Sequence, residues 1–177
     1  IKGRFSLRML QQACLSTATI TSMVFTLLLG AAVFSIVFRI LGGEDLVHAL
    51  LSNLPGGTMG ALISVMLVMF LLGFVLDTFE VIFIIIPITA PVLLGMDVDP
   101  VWLGVLVGIN LQTSFMTPPF GFSLIYLRGV APASVTTGMI YRGAVPFVAL
   151  QLIGLGIVMA FPELSTWLPA QVFRNGG

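Results

Sequence analysis

LLGFVLDTFEVIFIIIPITAPVLLGMDVDPVWLGVLVGINLQTSFMTPPFGFSLIYL, residues 71–127, holds two apolar stretches, each interrupted in its middle by polar residues. The first interruption is Asp77-Thr78-Phe79-Glu80, between the apolar run Thr58 to Leu76 and the run Val81 to Leu94. The second is Asn110-Leu111-Gln112-Thr113-Ser114-Phe115-Met116-Thr117-Pro118-Pro119, inside the run Val101 to Leu127. Two adjacent prolines remove two backbone donors and disfavour helix immediately before them. A broken helix is therefore expected over 101–127, its gap at Met116-Thr117-Pro118-Pro119-Phe120-Gly121.

The remaining sequence says which solvent surrounds these stretches. Of 177 residues, 58% are hydrophobic and 8% charged, with a mean hydropathy of +1.16. A water-soluble domain needs a charged surface free of large apolar patches, and too few charges are present to make one. With lipid as the outer solvent that need disappears, which predicts an all-α polytopic membrane protein. Formal net charge is zero, so nothing points to nucleic acid. Cys14 is the single cysteine, which excludes an internal disulfide and a thiolate metal cluster.

Around the central stretch, the chain divides into 1–57, 58–131 and 132–177. Ile1 to Gln12, with Lys2, Arg4 and Arg8, forms a basic interfacial lead-in; it resembles neither a signal peptide nor a native start, so a piece of a longer protein is expected. Ala13 to Phe38 is uncharged and long enough to cross a bilayer. Its small polar residues from Ser16 to Ser22 suit packing against another helix. Gly42-Gly43-Glu44-Asp45 breaks that span and offers N-cap chemistry. A short amphipathic segment, Asp45 to Leu54, then lies at the surface, where His48 is expected to be solvated. Gly95 to Pro100 is an acidic turn, Gly143 to Phe161 a last span, and Trp167 with Pro169 an interfacial anchor. With Lys2, Arg4 and Arg8 in the cytoplasm, Glu44, Asp45, Asp97, Asp99 and Glu163 fall outside, and Arg128 and Arg142 inside. Arg39 sits on the minority side.

The segment 58–94 returns to its starting side whether it crosses twice or forms a re-entrant hairpin. The second arm, Val81 to Leu94, is short and carries Pro87 and Pro91, and the tip holds acidic residues without Lys or Arg. Both features favour the hairpin, whose tip is tolerated at membrane depth only under cover of protein or a watery cavity. Asp77 would then be an ionisable group near the midplane, by default a functional one, although Asp77 or Thr78 could equally cap the second arm. At the second interruption, the carbonyls of Thr113, Ser114 and Met116 are expected to lose their helical partners and need another. Na⁺ is a natural one, since unwound carbonyls at half-helix ends hold cations in secondary transporters. Asn110, Thr113 and Ser114 add side-chain oxygens on one side of the break, and Gly73 lets its carbonyl approach. A proline kink without a ligand is the plainer alternative.

At these residues the chain resembles a known family. Leu72-Gly73-Phe74-Val75-Leu76-Asp77-Thr78, Ile86-Pro87-Ile88-Thr89-Ala90-Pro91, Asp99-Pro100-Val101-Trp102 and Thr117-Pro118-Pro119-Phe120-Gly121 follow the large membrane subunit of TRAP transporters (DctM-like). Ile140-Tyr141-Arg142-Gly143, Pro146-Phe147, Phe161-Pro162 and Trp167-Leu168-Pro169 fit its ending. The resemblance implies the C-terminal half of an elevator-type carrier, with a re-entrant hairpin and a discontinuous helix. It further implies a multi-pass protein of the bacterial inner membrane, with no enzymatic activity and no cofactor beyond Na⁺ as coupling ion. The implied partners are a small membrane subunit (DctQ-like), a periplasmic solute-binding protein (DctP-like) and an organic-acid substrate. Carried over by position, the sodium site involves Gly73, Asn110, Thr113, Met116 and Thr117, with Asp77, Thr78, Ser114, Pro118 and Pro119 as substrate or gate residues. Many relatives carry an acidic residue near Gln112, so that position says little.

Three other readings compete. A divalent anion/sodium symporter would place Ser-Asn-Thr at the hairpin tip, where this chain has Leu76-Asp77-Thr78. An intramembrane aspartyl protease needs a second midplane aspartate and a Gly-x-Gly-Asp setting, both missing here. A non-transporting assembly subunit leaves Asp77 and the Pro-Pro break without a reason.

Overall fold

In hydrocarbon a backbone must satisfy its own polar groups, so spanning segments of this composition become helices. The computed structural model describes residues 6–76, 78–118, 121–132 and 134–174, and all regular structure among them is helical. Asp77 and Pro119, both expected at the site, lie outside the described residues, as do Lys2 and Arg4.

Helix α1 (Leu7–Ile40, 34 residues) starts at Ser6, whose side chain accepts from the Met9 amide. It takes in Leu7 to Gln12 of the expected lead-in, with Arg8, and at about 1.5 Å per residue it exceeds the roughly 30 Å hydrocarbon core. Only Ala31 is buried along it, and side chains such as Phe25 and Leu29 are exposed. Lipid or other protein therefore covers its surface. Helix α2 (Gly43–Ser52) and helix α3 (Gly57–Leu72) meet at 116° across the Pro55-Gly56 turn. Within the stretch expected to offer the N-cap, Gly42 takes that position, and Glu44 and Asp45 lie in the first turn of α2. There they suit the positive end of the helix dipole, and Glu44 pairs with Arg39 at 2.9 Å. The pair is exposed and adds little stability, but it neutralises the charge of Arg39.

A hairpin follows. After α3 the chain turns through 73–76 and resumes as α4 (Thr78–Glu80), a π-helical segment (Val81–Ile85) and α5 (Ile86–Gly95). Two expectations change. Helix restarts at Thr78 rather than after Glu80, so the second arm has 18 residues against 16 in α3. Nor do the prolines break it: Pro87 sits in the first turn of α5, just after the wider π turn, and Pro91 lies inside α5. A π turn before Pro87 accommodates the ring and its missing N–H, a known use of such bulges. The Thr58 hydroxyl donates to the Met96 carbonyl at 3.3 Å, closing the open end of the hairpin.

Helix α6 (Pro100–Met116) begins on an Asp99 N-cap, whose carboxylate accepts from the Val101 and Trp102 amides at 2.8 and 2.9 Å. It packs against α3, against α7 (Phe122–Val130), α8 (Thr137–Ala160) and α9 (Glu163–Arg174). Ala61, Leu62, Met66 and Met69 of α3 meet Leu103, Leu106 and Leu111 of α6 in the main core, with Val81 and Leu93 from the second arm. The expected gap is present: helix stops at Met116 and resumes at Phe122.

Contacts also arrange the charges. Thr58 beside Met96 and Trp102 beside Val158 place the start of α3, the end of α5, the start of α6 and the end of α8 at one end. Asp97, Asp99 and Glu163 gather there, as the charge pattern required. Arg128 and Arg142 fall at the opposite end, where the Arg128 guanidinium donates to the Val135 carbonyl at 2.8 Å.

Pro162 cannot donate to the Val158 carbonyl four residues earlier. The Trp102 indole N–H donates to it instead, at 2.8 Å, and ties α6 to α8. Trp102→Phe is expected to destabilise the protein by about 1–3 kcal/mol, because it leaves that carbonyl unpaired. A thermal melt of the detergent-solubilised protein checks this, and an unchanged melting temperature contradicts it.

Candidate functional site at the break of α6

Asn110, Thr113 and Ser114 are the buried polar side chains among the described residues, each no more than 1% exposed. Their spacing puts them on one stripe of α6 together with Thr117. A stripe of oxygens facing a membrane protein's interior has to be satisfied, and each member is. Asn110 Nδ2 donates to the Met66 carbonyl of α3 at 2.9 Å. A carbonyl only accepts, so the nitrogen must face Met66, which leaves the amide oxygen as the remaining acceptor. The Thr113 hydroxyl donates to the Ile109 carbonyl at 2.7 Å and the Ser114 hydroxyl to the Leu111 carbonyl at 2.9 Å. With the hydrogens so committed, the hydroxyl lone pairs remain as hard, neutral oxygen donors.

The break differs from expectation in one respect. The Thr113 carbonyl is not orphaned, because it accepts the Thr117 hydroxyl at 2.7 Å. Neither is the Ser114 carbonyl, which accepts the Thr117 amide at 3.1 Å. Thr117 leaves the helix in extended conformation (φ −87°, ψ 125°), so its N–H closes a tighter i→i−3 turn. Thr117 thereby replaces the donor lost to Pro118 and, having turned its own amide to Ser114, serves Thr113 through its hydroxyl. Each carbonyl keeps a second lone pair for a cation. For Met116, the helical donor would be Phe120, outside the described residues.

Glycines seal the site on two sides. A Cβ on Gly73, at the end of α3, would run into Ser114 Oγ and stand 2.9 Å from Ser114 Cβ. The hairpin neck thus presses directly onto the polar stripe. A Cβ on Gly121 would lie 2.6 Å from the Phe115 carbonyl and 2.9 Å from that of Thr117, so the chain folds back onto the end of α6 at a distance only glycine allows. The Gly121 amide donates to the Thr117 carbonyl at 3.1 Å.

Beside the stripe, Thr78, Ile82, Gln112, Met116 and Ser123 help line a cleft of about 410 Å³ between the hairpin tip and the break. Gly73, Asn110, Thr113, Ser114 and Thr117 therefore come together, and Met116 joins them to the cleft, with Thr78 on its far wall. Pro118 is half-buried at the break. The oxygens of Asn110, Thr113, Ser114 and Thr117 are neutral, a set that fits an alkali cation better than a transition metal, and among the described residues no group of His, Cys, Asp or Glu is suited to a metal. Sequence reasoning passed over one further residue. Gln151 of α8 sits with Nε2 3.8 Å from Met116 Sδ; its signal was being the one polar side chain between Gly143 and Phe161.

Comparison with known proteins agrees in direction. Residues 1–164 match the family described as the tripartite ATP-independent periplasmic transporter, DctM component. The chain is 31% identical over 113 residues to the C4-dicarboxylate TRAP transporter large permease protein DctM of Vibrio cholerae, covering 64% of this chain and 24% of that protein. It is 27% identical over 161 residues to the ectoine/5-hydroxyectoine TRAP transporter large permease protein UehC of Ruegeria pomeroyi, covering 90% and 37%. To the sialic acid TRAP transporter large permease protein SiaM of Vibrio cholerae it is 27% identical over 156 residues, covering 86% and 35%. The chain thus spans well under half the length of these relatives. All three are named as permeases, not enzymes.

Gly73→Ala is expected to destabilise the protein by about 1–3 kcal/mol through overpacking against Ser114. Ser114→Gly in the same chain removes the clash, so the pair should couple favourably in a double-mutant cycle of melting temperatures. Purely additive effects contradict the contact.

Proposed function

Because this chain belongs to the DctM component family of TRAP transporters, we propose that it forms the cation-binding part of a large permease that imports small organic acids on a Na⁺ gradient. The observation that carries this reading is the stripe Asn110, Thr113, Ser114 and Thr117, held under Gly73 at a helix break and composed of neutral oxygens alone. Na⁺ would take the Asn110, Thr113 and Thr117 oxygens with carbonyls of Gly73 and Met116. Half-helix ends with unwound backbone recur as such sites.

The substrate would enter the adjacent cleft. Thr78, Gln112 and Ser123 offer hydrogen bonds there, and Ser123 lies in the first turn of α7, where the helix dipole favours a carboxylate. Asp77 at the hairpin tip, with Thr78, Pro118 and Pro119, would form the gate. Organic acids are the proposed class, as the names of the C4-dicarboxylate and sialic acid relatives suggest.

The hairpin is read as re-entrant. Its arms of 16 and 18 residues reach about 24–27 Å at 1.5 Å per residue, short of the roughly 30 Å core. Hairpin and broken helix would move together as an elevator against α1. A small membrane subunit of the DctQ type would cover the exposed face of α1, and a DctP-type periplasmic protein would deliver the solute to the acidic end, in the bacterial inner membrane.

The test is uptake by the complete transporter, reconstituted with its binding protein, across a panel of organic acids in Na⁺ and in K⁺ buffer. Uptake should collapse without Na⁺, and equal uptake in K⁺ would sink the sodium reading. Thr113→Ala should raise the Na⁺ concentration for half-maximal uptake about tenfold, the equivalent of one lost ligand contact near 1.4 kcal/mol. Protein abundance should stay near normal in Thr113→Ala and Asp77→Asn, while Na⁺ dependence weakens in both. Parallel loss of abundance and uptake would mark a structural role instead.

A further inference from the structure

Gln151 stands alone in the apolar middle of α8. Its Nε2 lies 3.8 Å from the Met116 thioether, while its Oε1 is buried without a hydrogen-bond partner among the described residues. A thioether sulfur is an acceptor, so the N–H faces Met116 and the oxygen is the free atom. Turning the amide over does not remove the cost, because one polar atom stays buried and unpaired either way. Buried unpaired acceptors are rare, and each calls for an explanation. An apolar side chain at 151 would avoid the penalty altogether.

The orphan oxygen belongs to a side chain that touches Met116, the residue that ends α6 and lines the cleft at the break. An acceptor there is complementary to one kind of donor in particular: a water polarised by a bound cation. We propose that Gln151 is a positioning residue for the coupling cation. Its amide holds Met116 at the end of α6, and its free oxygen accepts a hydrogen bond from a water coordinated to the cation at the break. This rests on the cation reading of the break, and it makes α8 a participant in that site. A cation arriving at the break then completes the hydrogen bonding of α8, linking ion occupancy to the α6–α8 contact.

The experiment is a thermal-shift titration of the detergent-solubilised complete transporter, with NaCl replacing choline chloride at constant ionic strength. A ligand that binds only the folded protein raises the melting temperature with a midpoint set by its affinity. The unchanged protein should be stabilised by Na⁺. Gln151→Leu should melt no lower than the unchanged protein in choline, since the orphan is gone, yet its Na⁺ midpoint should rise about fivefold or more. Gln151→Glu, which keeps an acceptor oxygen but loses the N–H on Met116, should raise the midpoint less than Gln151→Leu does. Gln151→Met, close in volume, is read in the same way if the leucine variant fails to fold. Equal midpoints in the unchanged and apolar variants overturn the proposal while leaving the cation site intact. So does a large loss of stability in choline for both apolar variants, which would make Gln151 a packing residue. Absence of any Na⁺ shift in the unchanged protein overturns the cation reading and this inference together.

Discussion

Hydrocarbon offers no hydrogen bonds, so every backbone amide and carbonyl that leaves a helix inside the membrane must be answered from within the protein. Prolines of this chain remove donors at set places, and at three of them the structure shows the answer. At Pro162 the donor lost to the Val158 carbonyl is replaced by the Trp102 indole. At Pro118 the donor lost to the Ser114 carbonyl is replaced by the Thr117 amide, and the Thr117 hydroxyl serves Thr113. At Pro87 the chain widens into a π turn. These repairs fix which helices touch and where α6 stops.

The same economy explains the chemistry at the break. Hydroxyls that spend their hydrogens on their own helix expose lone pairs, and an Asn that spends its NH₂ on Met66 exposes its carbonyl oxygen. The result is a buried set of acceptors with their donors already used. Gly73 brings the hairpin neck against that set with no intervening side chain. A small cation with an affinity for oxygen complements such a surface, and membership of the DctM family gives it a place in solute transport.

Much of this was legible from residues alone, for reasons that are local. Apolar length announced the spans, and the Pro118-Pro119 pair announced the break, because a missing N–H is written in the residue itself. The i, i+3, i+4 spacing of Asn110, Thr113 and Ser114 sets them on one face of any helix they form. What stayed hidden depended on backbone detail or distant partners. Thr78, Phe79 and Glu80 looked like an interruption, yet they are helical, since polar residues start a helix as readily as they end one. The orphaned carbonyls predicted at Thr113 and Ser114 were claimed by Thr117, whose extended conformation no spacing rule specifies. The fit of Gly73 on Ser114, and of Gln151 on Met116, joins residues about 35 to 41 positions apart through helix packing alone. Asp77 and Pro119, the most conspicuous sequence signals for a gate, lie outside the described residues.

The central claim is that the break of α6 holds the coupling ion. Density maps of the complete transporter prepared in Na⁺ and in choline test it most directly. The account predicts a feature in Na⁺ alone, in contact with oxygens of Asn110, Thr113 and Met116 and beneath the Gly73 carbonyl. Identical maps at the break in the two salts, or an ion coordinated elsewhere on this chain, would contradict it.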